Sequence, residues 1–332
     1  MTASLHARPY PEQLAAARAF IEANDGFLVV AHVNPDGDAA SSTLAVGWML
    51  ERIGKRYVMI NEGKTPDKFG YLWGFDRLLR YEERQPEERF RFVISVDCAD
   101  ASRIGKVSEL FAEDVQVLNI DHHATNDYFG DVQLIREDAA ATVEVLYDLA
   151  EEMRLPLAIE LATALYTGLL TDTGGFRYSN TTPKVMKIAA ELLAAGVAGH
   201  KLAEQVLEKI TFSHIAVLKQ VLTTLSFAFD KKVSWITVSQ DDIRQTGATS
   251  EDMEGLILYP RNIEGVEVGL LFKQTDERTV KVSFRSNGTV DVAAIAKSFG
   301  GGGHVRASGC TIAGELPDVV TQVIKEVGQS LQ

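Results

Sequence analysis

Seven side chains in the first 175 residues have the types and positions for metal-assisted chemistry: His32, Asp36, Asp38, Asp97, His122, His123 and Asp172. Each follows an apolar run. Phe27-Leu28-Val29-Val30-Ala31 leads into His32-Val33-Asn34-Pro35-Asp36-Gly37-Asp38, and Phe92-Val93-Ile94-Ser95-Val96 into Asp97-Cys98-Ala99-Asp100. Val115 to Ile120 stops on Asp121-His122-His123, and Leu155 to Leu170 delivers Asp172. Carboxylate oxygen beside imidazole nitrogen, without thiolate, suits Mn2+ or Mg2+ rather than structural zinc. Two such ions close together are a device for phosphoryl chemistry, because they make a nucleophile from water and clamp the charge that develops on phosphorus. Each group also has an ordinary explanation. Asp38 sits where a helix cap belongs, but capping accounts for one aspartate and not for His32 and Asp36 on the same turn. Asp172, at a helix end against the core, needs a partner, and a cation is one. Cys98 reads as a small buried residue among hard carboxylates. Arg103 reads as a surface salt bridge or as a group facing an anion.

The elements that must position these groups follow from periodicity. Pro11 to Asn24 is helical and ends at Asp25-Gly26; Ala39 to Ile53 is an amphipathic helix, and Arg56 to Ile60 a strand. Tyr71 to Arg84 is polar and reads as a helix and surface loop. Ala139 to Thr142 opens a helix that continues from Val143 to Met153. Leu155 to Leu170 is a buried helix, short of the ~20 apolar residues of a membrane span. Strands alternating with helices predict an α/β domain with a mostly parallel sheet flanked by helices, whose strand ends present ligands to a crevice. Pro183 to Thr224 reads as helices, with His200 and His214 as surface or packing histidines and His6 in a frayed terminus. A strand from Val233, a helix from Gln240 and a helical stretch from Ser250 to Leu258 come next. A turn at Tyr259-Pro260-Arg261-Asn262 leads to strands Val266 to Lys273 and Val280 to Arg285, then to helices Asp291 to Phe299 and Pro317 to Gln332. These describe a smaller mixed-sheet α/β domain. The expected division is 1–190, a helical linker 191–231, and 232–332.

A length of 332 residues suits two domains, and 46% hydrophobic with 24% charged residues is ordinary for a globular chain. Two cysteines far apart, with no CxxC, make neither a disulfide framework nor a zinc ribbon and point to a reducing cytoplasm. No signal peptide is read at the start. A net charge of −13 argues against wrapping long nucleic acid and leaves room for a small anion. Against that acidity, Leu256 to Arg306 carries seven Lys/Arg to five Asp/Glu. It contains four consecutive glycines, Gly300 to Gly303, followed by His304 and Arg306. Such a run lets backbone N–H groups approach an anion or base, as a nest at a helix end.

His32-x-x-Pro35-Asp36-Gly37-Asp38, Asp97, Asp121-His122-His123 and Asp172 resemble the successive motifs of the DHH phosphoesterase superfamily. The stretch Gly300 to Gly309 (GGGGHVRASG) resembles the signature of its DHH-associated C-terminal domain, so the resemblance covers nearly the whole chain. Ser41 stands where many relatives have glycine. Length and domain order most resemble those of the oligoribonuclease and pAp phosphatase group. The resemblance implies one ion held by His32, Asp36 and Asp97, and a second by Asp38, Asp97, His122 and Asp172, with Asp97 bridging. Asp121 and His123 would support the ligands or face phosphate, and with Asp97 and His122 they make the expected catalytic set. The expected ions are two Mn2+, with Mg2+ as the alternative.

A second lobe, across a cleft, is expected to hold the base or terminal phosphate of a short nucleotide through Arg261, Arg285, Gly301, Gly302, Gly303 and His304. Arginine suits this because its fork matches two phosphate oxygens. The expected substrates are RNAs of two to a few nucleotides, pAp and dinucleotides, with no long nucleic acid and no membrane; a homodimer is compatible with all of this. One compact anion site, not a groove, predicts preference for short RNA. A cyclic- or linear-dinucleotide phosphodiesterase and a single-strand exonuclease are the alternatives within the superfamily. Acidic charge and the lack of extra domains disfavour the exonuclease. Pyrophosphatase relatives have a C-terminal domain without the Gly-rich His motif. A non-catalytic nucleotide sensor is the alternative from another class, and intact ligands at every motif argue against it.

Overall fold

Phe27-Leu28-Val29-Val30 is buried at every position, so a strand built from it needs cover on both faces. In the computed structural model, which describes residues 8–288 and 290–331, it receives that cover. His6 lies outside the described residues. The chain divides into two units, 1–209 and 210–332.

The first unit runs α1 (Tyr10–Ala23), β1 (Phe27–Val30), α2 (Gly37–Arg52), β2 (Tyr57–Asn61), β3 (Leu79–Arg80), β4 (Phe90–Val96), β5 (Phe111–Asp121) and β6 (Val132–Ile135). It continues with α3 (Thr142–Glu152), α4 (Ile159–Asp172), α5 (Pro183–Ala194) and α6 (Gly199–Ala203). The strand order is β3-β2-β1-β4-β5-β6, and every pairing is parallel. Phe27, Val29, Ile94, Val96, Leu118 and Ile120 pack on one face with the helices. Leu28, Val30, Val93 and Val117 pack on the other with Ile104, Val107 and Leu110 of a 3-10 segment. The chain order reverses between β1 and β4. Connections leaving those two strands diverge, which opens a crevice at their carboxyl ends.

Tyr71 to Arg84 departs from the expected helix: it forms a 3-10 turn at Phe75–Arg77 and the short strand β3, which finds its partner in β2. Val132-Gln133-Leu134-Ile135 shows no separate strand signal, yet pairs with the end of β5. Residues 191–231 contain the end of α5, α6, a π-helical turn at Glu204–Glu208 and the α7 helix Phe212–Leu222. His200 is exposed, and the buried His214 packs with Nδ1 2.8 Å from the Asp252 carbonyl.

After α7, the second unit contains β7 (Ser226–Ala228), β8 (Val233–Val238), α8 (Gln240–Thr246), α9 (Leu258–Arg261), β9 (Val268–Asp276) and β10 (Thr279–Ser286). It ends with α10 (Val292–Ser298), β11 (Gly302–His304), β12 (Ala307–Ala313) and α11 (Leu316–Gln329). Its order is β11-β12-β10-β9-β8-β7, antiparallel except for β8 with β9. The expected turn at Tyr259 to Asn262 is instead mostly α9, because Pro260 lies in a first helical turn, where a missing N–H costs nothing. The glycine run is partly the edge strand β11, held by β12. Among the described residues no helix is long and apolar enough to cross a membrane.

Candidate metal centre

The candidate ligands meet at the crevice between β1 and β4. The β1–α2 connection brings His32 and Asp36, the first turn of α2 brings Asp38, and the residue after β4 is Asp97. His122 and His123 follow β5, and Asp172 is the last residue of α4. Close helix packing makes this possible. A Cβ on Gly37 would strike the Thr171 side chain, and one on Gly168 would lie 2.7 Å from Asp38 Oδ1 and 2.6 Å from Val143 Cγ1. The beginnings of α2 and α3 and the end of α4 therefore converge because glycine stands at both contacts.

Asp97 adopts a left-handed backbone conformation, φ 58°, of the sparsely populated kind that clusters at functional sites. Its Oδ2 lies 3.5 Å from His32 Nε2, and its Oδ1 lies 3.6 Å from His122 Nε2. Asp172 Oδ2 is 3.5 Å from the same His122 nitrogen. His32 Nδ1 is 3.0 Å from the Val33 carbonyl and His122 Nδ1 3.2 Å from the Ala139 carbonyl. A carbonyl only accepts, so both rings donate from Nδ1 and keep the Nε2 lone pair for the cluster. Three triads have ligand atoms within 4.8 Å of one another: His32, Asp36 and Asp97; Asp38, His122 and Asp172; Asp97, His122 and His123.

Two placements differ from local expectation. Asp36, not Asp38, caps α2, with Oδ1 3.1 Å from both the Asp38 and Ala39 amides. Asp38 is fully buried and turns to α3 instead, accepting from the Thr142 amide at 2.6 Å and the Val143 amide at 3.2 Å. His123 is committed at Nδ1, 2.7 Å from Asp121 Oδ1; Asp121's other oxygen accepts from Asn126 Nδ2 at 2.6 Å. Cys98 is buried and free, and burial raises its thiol pKa. The Arg103 charge acts on His123, opposing its protonation.

Burial, then the charges of Asp97, Asp172 and Asp36, push the Asp38 carboxyl well above the usual range. Burial, Asp36 and Asp97 do the same to Asp172. Asp97 is driven below the usual range despite its own burial, because His32, His122 and His123 surround it. The His32 and His123 imidazoles are raised: burial opposes the cation, but the neighbouring Asp97 and Asp121 carboxylates outweigh it. Four carboxylates, Asp38 and Asp97 buried, Asp172 half-buried and Asp36 exposed, thus converge on a few imidazoles, an excess of acidic groups that divalent cations would neutralise. The all-oxygen-and-imidazole donor set fits hard divalent ions.

The second-unit candidates share one strip of the second sheet. Arg285 pairs with Gly269 on one side and Ala307 on the other, and Ala307 pairs with His304. A Cβ on Gly269 would lie 2.5 Å from Arg261 Cα, so Arg261 sits over the same row. Across two strand spacings, Arg285 and His304 are ~10 Å apart at the backbone. Arg261 Nε is buried and has no hydrogen-bond partner among the described residues. Of the three candidate glycines, Gly301 and Gly303 press against the β12 backbone, while Gly302 faces open space.

Residues 26–169 match the DHH family N-terminal domain and residues 230–332 the DHHA1 domain. Fold and site define a hydrolase of a metal-dependent class, and the chain belongs to the DHH family. It is 35% identical to the bifunctional oligoribonuclease and PAP phosphatase NrnA of Thermus thermophilus, over 97% of this chain and 95% of that protein. The Bacillus subtilis protein of the same name is 25% identical over 87% of this chain and 90% of its own length. The crystal structure of an exopolyphosphatase-related protein from Bacteroides fragilis superposes with a TM-score of 0.88 at 25% identity, covering 97% of this chain and 96% of that one.

Proposed function

We propose that the chain is a cytoplasmic two-metal phosphoesterase that hydrolyses RNAs of two to a few nucleotides to mononucleotides and converts pAp to AMP, with Mn2+ as its ion. The observation that carries this reading is the sharing of Asp97 and His122 among three ligand triads. A carboxylate common to two ligand groups would let both ions act on one phosphoryl group. The substrates follow from the NrnA relatives, whose name states both activities.

His32, Asp36 and Asp97 would hold one ion, and Asp38, Asp97, His122 and Asp172 the other. Bound ions supply a nucleophile at neutral pH and neutralise charge on the phosphoryl oxygens. His32 and His122, donating from Nδ1, keep their rings turned to the ligand positions. His123, oriented by Asp121, keeps Nε2 for the phosphate or leaving oxygen. Arg261, Arg285, Gly302 and His304 bind the base or terminal phosphate.

Mononucleotide release from a diribonucleotide and phosphate release from pAp, each with Mn2+ and with EDTA, test the reading. Both products are expected with Mn2+ and neither with EDTA. Preference for cyclic dinucleotides or long single strands would overturn the substrate assignment, and turnover in EDTA would overturn the metal.

A further inference from the structure

We infer that Thr142 is a positioning residue that fixes the two ligand groups against each other, holding Asp97 with its hydroxyl and Asp38 with its amide. This rests on the two-metal reading. Thr142 is fully buried at the start of α3, next to Ala141, which caps the helix without a side-chain hydrogen bond. The orphan amides of that first turn are satisfied by a carboxylate from far away in sequence: Asp38 accepts from Thr142 N at 2.6 Å and from Val143 N at 3.2 Å. The positive end of the helix thereby faces a buried carboxylate, and the Thr142 amide bond partly opposes the rise that burial and the neighbouring carboxylates impose on it.

The Thr142 hydroxyl does something the amides do not. Oγ1 lies 2.9 Å from Asp97 Oδ1. An ionised carboxylate only accepts, so the hydroxyl donates and its proton has one direction. Oδ1 is the oxygen that lies 3.6 Å from His122 Nε2, while Oδ2 lies 3.5 Å from His32 Nε2. The hydroxyl therefore sets the carboxylate plane and decides which oxygen each ligand group meets. The segment around it is itself held. Ala139 O receives His122 Nδ1, and Ala140 N donates to Glu144 Oε2 at 2.8 Å. Glu144 in turn is paired with Arg136 at 3.1 Å. Partners that orient metal ligands typically alter metal affinity by ~10–100-fold when removed.

Thr142→Val keeps shape and amide and removes only the hydroxyl; Thr142→Ser keeps the donor. Mn2+ titration calorimetry and the electron paramagnetic resonance spectrum of the Mn2+-loaded protein read the ion pair directly. Hydrolysis of bis-p-nitrophenyl phosphate and unfolding in EDTA run alongside. Wild type is expected to bind two ions. Thr142→Val should weaken at least one by ~10–100-fold and change the coupled spectrum, with kcat falling, and Thr142→Ser should stay near wild type. Wild-type affinities and spectrum in Thr142→Val would overturn the inference. A loss confined to stability in EDTA, with ion binding intact, would also overturn it. A wild type that binds fewer than two ions would instead overturn the two-metal reading beneath it. If Thr142→Val fails to fold, Thr142→Ala carries the same expectation without added bulk.

Discussion

Asp97 and Asp38 share one buried cluster and are driven in opposite directions, because imidazoles surround the first and carboxylates the second. That difference has a consequence for stability. Asp38 and Asp172 have folded-state pKa values above their unfolded ones, so without metal the folded protein binds more protons than the unfolded chain. Their contribution to stability therefore falls as pH rises through and above the ordinary carboxyl value of about 4. His32 and His123, also raised, act with the same sign: their contribution is full below about pH 6.5 and is lost as pH climbs through their folded values. Asp97, depressed, opposes both and loses its contribution only in strong acid. Metal binding needs the ligands among these groups, Asp38, Asp97, Asp172 and the coordinating nitrogen of His32, deprotonated. The gap in Tm between Mn2+-loaded and EDTA-treated protein should therefore widen from about pH 5.5 to about pH 8.5. A gap that stays constant over that range would mean the ions bind elsewhere.

At the scale of the elements, the site depends on three helix ends closing on one another. Gly168, late in α4, allows it, because a methyl group there would press on both Asp38 Oδ1 and Val143 Cγ1. Gly168→Ala raises local helix propensity, which alone would stabilise by under ~1 kcal/mol. Overpacking of a tight contact costs ~1–3 kcal/mol, so the net effect should be destabilising. The displaced group is Asp38, so weaker Mn2+ binding should accompany a Tm lower by a few degrees. Unfolding scans and Mn2+ titration of the variant check this; a stabilised variant with full metal affinity would show that α2 and α4 can separate freely.

For the whole molecule, the proposed function asks two units with separate cores to act on one substrate. Arg285 and His304 lie more than a hundred positions beyond Asp172 in the chain, in a row of the second sheet. On that reading, substrate held by this row would contribute binding energy that orients the scissile phosphate, without touching the ligands. Arg285→Ala or His304→Ala should leave Mn2+ stoichiometry and Tm unchanged and lower dinucleotide hydrolysis by about 100-fold. Bis-p-nitrophenyl phosphate, which offers that row nothing, should lose less than about threefold. Equal losses on both substrates, or none on either, would exclude the anchoring role.

The ligand candidates are legible in the sequence because each follows an apolar run, and an acid or histidine at a strand end is a signal carried by neighbouring residues. The same locality makes β1, β4, α2 and α4 readable and, through the Asp121-His122-His123 and Gly-rich motifs, the family as well. Tertiary structure decides what neighbours leave ambiguous. Asp36 and Asp38 have the same chemistry two residues apart, and which one caps α2 depends on α3, whose amides claim Asp38 from 104 positions away. The strand Ala307–Ala313 opens on Ala-Ser-Gly, two of them residues depleted from strands, and pairs because β10 and β11 lie on either side of it. Gly168 and Thr142 look ordinary in sequence, since what they touch is brought to them only by packing. Periodicity and donor type belong to stretches of chain; cap choice, imidazole tautomer and carboxylate orientation belong to the hydrogen bonds that exist once distant elements meet.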